Sequence, residues 1–244
     1  MAIDLDGYFG RIGYAGAHPP TLETLRAIAR LHPQAIPFEN LDPLMGRPVR
    51  LDPASLERKL VTDGRGGYCF EHGLLLKGVL EALGFAVTGL SARTIWGLPP
   101  GTPTARAHML LRVDMGDETY LVDAGFGIAA LTAPLALVTD VEQDTPHETY
   151  RLLGSEGGLF ELQVRLGTGW RGLYVFDLQG QLDADYEVTN WYASTYPGSG
   201  FLSSLMAARA DLGCRHTLRD NRYTLRSQAS ADETRLIESV AEMR

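Results

Sequence analysis

Apolar residues recur at helical spacing through the first third of the chain. Leu22, Leu25 and Ile28 follow Thr21, a residue type that commonly caps the first turn of a helix. The pair Asp52-Pro53 marks a second helix start, because proline is favoured at the first helical position. Two helices are therefore predicted in this part of the chain.

A third, strongly apolar helix is predicted from about Cys69 to Leu83. Gly84 follows it, and glycine is the residue that most often terminates a helix. The apolar residues of this helix are spaced so that they can face other helices: Leu75, Leu76, Val79, Leu80 and Leu83. Residues 1–84 are therefore expected to form a helical bundle that carries Cys69.

The apolar pattern changes to alternation after Gly84, and alternation is typical of strands. Segments 106–115 and 119–124 flank Gly116-Asp117, an arrangement that predicts a β-hairpin. Residues 85–184 are expected to form a β-barrel-like domain.

From Asp185 onward the pattern is mixed. A short helix is predicted up to Thr195, followed by a strand pair around 218–225 and a final helix from Asp232. Residues 185–244 are expected to form an α/β unit. The whole chain is thus assigned to the α+β class.

Composition and charge exclude some classes of function. Of 244 residues, 45% are hydrophobic and 21% are charged, as in ordinary folded proteins. The net charge of -8 argues against a nucleic-acid partner, since phosphate backbones are bound by clustered lysines and arginines. No apolar run approaches the roughly 20 residues that span a bilayer, and the acidic start lacks the basic segment of a signal peptide. A cytoplasmic protein that does not bind membranes is expected.

Cys69 and Cys214 are each treated as a free thiol, because a lone disulfide rarely stabilises a cytosolic protein. Cys69 follows two glycines at a predicted helix start, where free N–H groups and the helix dipole stabilise a thiolate. The thiolate is the nucleophilic form of cysteine. The alternative interpretation at this point is a small, buried apolar residue.

A nucleophilic cysteine needs a base, and His108 is the strongest candidate among six histidines. It interrupts an apolar strand, where a polar ring costs free energy unless it has partners. His72, three residues after Cys69, is the competitor. In the expected register of this hairpin, the numbers of two paired residues add to 233. His108 and Asp123 then project from the same face of the hairpin as diagonal neighbours. Asp123 is then expected to accept a hydrogen bond from Nδ1 of His108, which leaves Nε2 to take the proton of Cys69.

Five segments resemble the arylamine N-acetyltransferase family in sequence and in order. They are I-P-F-E-N-L at 36–41, R-G-G-Y-C-F-E at 65–71, H-M-L-L at 108–111, L-V-D-A-G-F-G at 121–127 and N-W-Y-A-S-T-Y-P-G-S at 190–199. The resemblance implies an N-terminal helical bundle, a central β-barrel-like domain and a C-terminal α/β lid. It also implies a papain-like catalytic triad of Cys69, His108 and Asp123.

The resemblance further implies acetyl-CoA as the acyl donor and a ping-pong mechanism through an acetyl-cysteine. Arylamines, arylhydroxylamines and hydrazines are the implied acceptors, as in xenobiotic metabolism. By the same resemblance Phe38, Ile95 and Phe126 line the acceptor pocket, and Gly125 and Gly127 lie near the donor. No metal is implied, and the protein is expected to be a monomer or a homodimer.

The sequence departs from the family pattern in three places. Gly73 replaces an asparagine, which is expected to loosen the start of the helix that carries Cys69. Met109 replaces a frequent threonine and removes a hydrogen bond to the donor. The sequence stops at Arg244, earlier than many relatives, in the segment expected to contact CoA.

Several rival functions share this chemistry. A thiol hydrolase, a transglutaminase-like enzyme or an amide-forming acyltransferase would use the same triad with another acceptor or donor. A non-catalytic binding module is a second class. A metal site built from Cys69, His72, His108 and Asp123 is a third, but no Cys or His pair has the spacing of a structural zinc site.

Overall fold

A computed structural model describes residues 3–227, 231–239 and 241–242 of the chain. The helices of this part are α1 (Leu5–Ile12), α2 (Leu22–Ala35), α3 (Leu41–Leu44), α4 (Pro53–Glu57), α5 (Cys69–Ala82), α6 (Asp183–Thr195) and α7 (Gly200–Ser203). None of the helices in these residues is long and apolar enough to cross a membrane.

The helix starts predicted from the sequence are confirmed. The Thr21 side chain accepts a hydrogen bond from the backbone of α2, and Asp52 caps α4 in the same way. Helix α4 continues into a π-helical turn, Arg58–Thr62. Helix α1 was missed by the sequence analysis, although Asp4 accepts a hydrogen bond from Gly7 N as its N-cap.

The strands are β1 (Phe38–Glu39), β2 (Ala86–Thr94), β3 (Arg106–Met115), β4 (Glu118–Val122), β5 (Leu135–Ala136), β6 (Glu142–Asp144), β7 (Thr149–Ser155), β8 (Leu159–Leu166), β9 (Gly169–Phe176), β10 (Met206–Asp211), β11 (Cys214–Arg219), β12 (Arg222–Ser227) and β13 (Glu233–Leu236). They form two antiparallel sheets. One has eight strands in the order β5-β4-β3-β2-β9-β8-β7-β6, and the other has five in the order β1-β10-β11-β12-β13.

The eight-stranded sheet curls into a nearly closed barrel. Its two edge strands meet at Gln143 of β6, whose side chain accepts from Ala136 N at 2.8 Å and donates to Ala136 O at 2.9 Å. One hydrophobic core fills the barrel interior and includes Leu90, Leu110, Leu121, Leu152 and Leu173. A second core lies between the helices and the outer face of β3. Strand β3 contacts both cores because its successive side chains point to opposite faces.

The five-stranded sheet combines both ends of the chain. Strand β1 from the N-terminal segment pairs with β10, with Phe38 opposite Ala208. The predicted helix from Asp232 is wrong where the structure describes it, because Glu233–Leu236 is a strand paired with β12. A four-residue strand finds its partner only through the fold, which local periodicity does not reveal.

Candidate active site

Cys69 is the first residue of α5 and is only 3% exposed. The two preceding glycines are required for close approach of the backbone. A Cβ on Gly66 would lie 2.1 Å from Pro37 O, and one on Gly67 would lie 2.6 Å from Glu71 Oε2. The glycine pair thus brings the start of α5 against β1, where Glu39 N donates to Gly67 O.

A buried acidic side chain caps the helix start. Glu71 accepts a hydrogen bond from Tyr68 N at 3.0 Å and is paired with Lys59 Nζ at 2.7 Å. Burial raises the pKa of Glu71 to about 7, although Lys59 opposes this shift. The sequence analysis missed this role, although an acidic residue three positions after a helix N-cap is a known capping signal.

Ion pairs join the two sequence motifs that lie on either side of this turn. Arg65 of the R-G-G-Y-C-F-E segment pairs with Glu39 at 2.7 Å and with Asp42 at 2.9 Å. Lys59 also pairs with Asp42 at 2.7 Å. The charged residues of these motifs therefore hold the loop that positions Cys69.

The predicted hairpin register is confirmed, since Leu111 pairs with Val122 and these two residue numbers add to 233. His108 and Asp123 lie side by side, with His108 Nε2 2.7 Å from Asp123 Oδ2. The predicted roles of the two ring nitrogens are wrong, because Nε2 rather than Nδ1 faces the carboxylate. A diagonal hairpin pair fixes which residues meet but does not fix the rotation of the imidazole ring.

His108 lies between aromatic rings and is buried. The ring centroids of Phe126 and Tyr174 are each 5.0 Å from the imidazole. Burial by itself lowers the pKa of His108, but the charge of Asp123, its hydrogen bond and the neighbouring Cys69 overcome this and raise the pKa to about 10. The raised pKa favours the cationic form of the imidazole, and Cys69 is one of the groups that raise it.

Cys69 and His108 line one cavity of about 590 Å³. Of the residues predicted to line the acceptor and donor sites, Phe38, Gly125, Phe126 and Gly127 also lie there. Gly125 is packed so closely that a Cβ on it would lie 2.8 Å from the Cα of Cys69. The rest of the lining includes residues that the sequence analysis missed: Thr94, Trp96, Ile128, Phe201, Arg219 and Arg222.

The structure does not bring Ile95 to this cavity. Ile95 lines a separate surface pocket and contacts the backbone of Gly172. Thr94 and Trp96 line the Cys69 cavity in its place, Thr94 as the last residue of β2 and Trp96 in the turn that follows the strand. Ala92 of β2 pairs with His108 of β3, and this pairing shows which face of β2 its even-numbered residues occupy. The pairing cannot be read from the sequence.

His72 has a structural arrangement of its own. Its Nε2 lies 3.2 Å from Pro37 O and its Nδ1 lies 2.9 Å from Nε2 of His32, whose Nδ1 is 2.8 Å from the Tyr8 hydroxyl. Since Pro37 O can only accept, His72 carries its proton on Nε2, His32 donates to His72, and Tyr8 donates to His32. Burial lowers the pKa of His72 to about 4.

Two of the three departures from the family pattern lie in contact. A Cβ on Gly73 would lie 2.6 Å from the sulfur of Met109, whose side chain packs against α5 at this point. Helix α5 runs from Cys69 to Ala82 without interruption, and the looser helix start stays a prediction.

The remaining thiol lies away from this cavity. Cys214 has its sulfur 3.5 Å from His216 Nε2, and burial raises its pKa. Within the described residues, no group of three or more His, Cys, Asp and Glu side chains could hold a metal ion.

The profile of the N-acetyltransferase family matches residues 21–244. An arylamine N-acetyltransferase of Mycobacterium bovis is 42% identical over 245 residues, a match that covers 99% of this chain and 86% of the relative. The chain belongs to the arylamine N-acetyltransferase family and is an acetyltransferase enzyme.

Other members of the family agree in sequence and in structure. The Escherichia coli K12 arylamine N-acetyltransferase is 41% identical, over 100% of this chain and 86% of its own length. The solved Mycobacterium marinum arylamine N-acetyltransferase matches with a TM-score of 0.95 at 41% identity, covering 98% of this chain and 89% of that one. The same enzyme solved in complex with CoA matches with a TM-score of 0.94 at 40% identity, covering 98% and 89%.

Proposed function

We propose that this enzyme transfers an acetyl group from acetyl-CoA to arylamines, arylhydroxylamines and hydrazines by a ping-pong mechanism through acetyl-Cys69. The observation that carries the proposal is the arrangement of Cys69, at a helix start, and His108, bound to Asp123, at one cavity. A cysteine beside an imidazole that can take and hold its proton is the arrangement that activates a cysteine nucleophile.

In the first half-reaction the proton of Cys69 resides on His108, whose raised pKa favours the cationic form. The thiolate attacks the carbonyl carbon of the thioester, and N–H groups at the start of α5 are suited to stabilise the oxyanion that develops. The carbon–sulfur bond to CoA then breaks. CoA leaves with the proton from His108, and an acetyl-cysteine remains.

In the second half-reaction the nitrogen of a neutral amine attacks the acetyl carbon. The bond between this carbon and Sγ of Cys69 breaks, and the proton lost by the amine passes through His108 to the thiol. An amide and the free enzyme result. Aromatic amines suit this step because they are uncharged, and therefore nucleophilic, at neutral pH.

The charge of the cavity supports a polyanionic donor. Arg219 and Arg222 line its rim, and among the described residues no carboxylate is part of the lining. The chain as a whole carries a net charge of -8, so this concentration of positive charge is local. The phosphates of CoA fit such a rim, and the M. marinum relative has been solved in complex with CoA.

The apolar side of the cavity supports an aromatic acceptor. Phe38 and Phe126 are the aromatic residues beside Cys69 and His108 that both the sequence and the geometry favour. Trp96 and Thr94 take the place that the resemblance gave to Ile95. We therefore assign acceptor contacts to Phe38, Phe126 and Trp96.

The test is the intact mass of the purified protein after incubation with acetyl-CoA alone. We expect one acetyl group on Cys69, which is lost when an arylamine is added. Cys69→Ala should stay unmodified, whereas Cys214→Ala should behave like the wild type. Release of CoA must be followed in parallel, because hydrolysis can remove the intermediate. A wild-type protein that shows neither acetylation nor acceptor-dependent CoA release would contradict the proposal and favour a hydrolase or a binding module.

A further inference from the structure

The segment that follows Asp123 forms a closed loop beside the cavity. Leu131 N donates to Asp123 O at 2.7 Å, and the loop contains a 3₁₀ turn, Gly127–Ala129. Phe126, Gly127 and Ile128 of this loop line the cavity. We call residues 126–130 the cavity turn. Its backbone position determines how these side chains face a bound acceptor.

Two side chains from elsewhere in the fold bind the carbonyls at the end of this turn. Arg215 Nη2 donates to Ala130 O at 2.7 Å, and the Tyr150 hydroxyl donates to Ala129 O at 3.2 Å. Glu148 accepts from Arg215 at 2.6 and 2.8 Å, and it lies 3.1 Å from the Tyr150 hydroxyl, which shares its single proton between Glu148 Oε2 and Ala129 O. Arg215 lies on β11 and Tyr150 on β7, so the network joins the two sheets at the cavity turn.

This network is deeply buried, and burial makes an ion pair a poor source of stability. Arg215 is 2% exposed, and the Glu148 side chain is 6% exposed. Removing two charges from water costs several kcal/mol per ion, so apolar side chains of similar volume often give equal or greater stability. Arg215 Nη1 also has no hydrogen-bond partner among the described residues. Stability alone therefore does not account for the pair.

We propose that Arg215, Glu148 and Tyr150 are positioning residues that fix the cavity turn for the acceptor half-reaction. The inference rests on the proposed function, because it assigns the cavity turn to acceptor binding. None of the three side chains is part of the Cys69–His108–Asp123 group. Their effect on the reaction is expected to pass through the backbone of Ala129 and Ala130.

The mildest test is Tyr150→Phe, which keeps the buried ring and removes one hydrogen bond to the turn. We expect kcat/KM for a para-substituted aniline to fall about fivefold, as for the loss of a single hydrogen bond. For hydrazine, which is too small to reach the turn, kcat/KM should stay within about twofold, a margin well below one hydrogen bond. The rate of Cys69 acetylation by S-acetyl-N-acetylcysteamine, a small thioester, should also be unchanged.

The second test separates positioning from stability. Arg215→Met or Glu148→Leu alone leaves a buried charge without its partner, so each should lower Tm strongly. The double variant removes both charges of the pair and leaves Arg226, which lies 3.8 Å from Glu148 Oε1, with Asp232 as its partner, so its Tm should recover towards the wild type. The kcat/KM of the double variant for the substituted aniline should nevertheless remain at least about fivefold below that of the wild type, because Ala130 O has lost its hydrogen-bond donor, Arg215. Lys77→Met with Glu81→Leu, an i,i+4 pair on α5 that has no contact with this network, is the matched control and should change neither quantity.

Two results would overturn the inference. One is an equal fall for hydrazine and for the substituted aniline in Tyr150→Phe. The other is a double variant whose aniline kinetics recover together with its Tm, which would mean that the network serves stability alone. Failure of the proposed function is distinguishable from both, because the wild type would then not become acetylated on Cys69.

Discussion

The floor and the rim of the cavity differ in how firmly the protein holds their functional groups. At the floor, Cys69, His108 and Asp123 are each 3% exposed, and the histidine is hydrogen-bonded to the carboxylate at 2.7 Å. At the rim, Arg219 and Arg222 are exposed and face each other at the end of the β11–β12 hairpin. Neither arginine has an ion pair or a side-chain hydrogen bond to the described residues.

This difference indicates a division of tasks. Electrostatic interactions are strong where water is excluded, so a displaced or missing group at the floor changes the reaction by orders of magnitude. Charges at the rim are screened by water and salt, so each contact contributes little but works over a range of geometries. Bond-making chemistry suits the floor, and recruitment of a charged donor suits the rim.

The largest effect is expected at the floor, from Asp123→Asn. Asp123 raises the pKa of His108 to about 10, and without its charge the imidazolium form loses its main support. We expect the rate of Cys69 acetylation to fall on the order of 10³-fold, with CoA binding retained. Single-turnover CoA release and a CoA titration measure the two quantities. A fall of less than about tenfold, roughly 1.4 kcal/mol, would mean that Asp123 is not required to orient and charge His108.

The second prediction concerns the neutral histidines beneath the floor. Burial lowers the pKa of His72 to about 4, whereas an unfolded chain protonates this group near pH 6.5. The unfolded state thus binds more protons between these values, and stability is lost as pH falls from 6.5 to 4, by up to about 3 kcal/mol from this residue. Glu71, with a raised pKa, acts in the opposite direction over part of this range.

His72→Gln isolates that contribution, because glutamine can donate to Pro37 O and accept from His32 without titrating. The free energy of unfolding, measured by urea denaturation at several pH values, should depend less on pH in the variant than in the wild type. Glu71 is present in both proteins, so its effect cancels in the difference. Parallel curves would show that His72 titrates alike in the folded and the unfolded chain.

The arrangement of His108 and Asp123 at the floor could be predicted from the sequence more fully than the rest of the site. The two-residue turn at Gly116-Asp117 fixes the register of β3 and β4, and the strand period of two then places His108 and Asp123 on one face. Ile95 could not be assigned correctly, since it lies just beyond the end of β2, where neither the strand pattern nor the pairing with β3 fixes its direction. Arg215 and Glu148 are 67 residues apart, one on β11 and the other in the loop before β7, so no local pattern connects them.

The third prediction tests how tightly the floor is packed. Gly73→Asn places a Cβ against the Met109 sulfur, where only 2.6 Å is available, and overpacking of this kind costs about 1–3 kcal/mol. Adding Met109→Thr should relieve the contact and recover most of the stability. A double-mutant cycle on the free energy of unfolding is expected to give a coupling of about 1 kcal/mol or more. Additive effects would show that the two positions are independent.

The smallest effect is expected at the rim, from Arg219→Gln combined with Arg222→Gln. These arginines line the outer part of the cavity that contains Cys69, and the proposed donor carries phosphates that they can pair with. Because both are exposed, each contact is worth about 1 kcal/mol or less, so KM for acetyl-CoA should rise about tenfold at low salt. The increase should shrink as the ionic strength is raised. S-acetyl-N-acetylcysteamine has no phosphate, and its kcat/KM should be the same in the variant and the wild type.

Arg209→Gln is the matched control, since this arginine belongs to the same sheet but pairs with Asp211 and does not line the cavity. If both donors were affected equally, the arginines would serve the shape of the hairpin and not the charge of the donor. If only carboxylate-bearing acceptors were affected, the rim would select the acceptor instead.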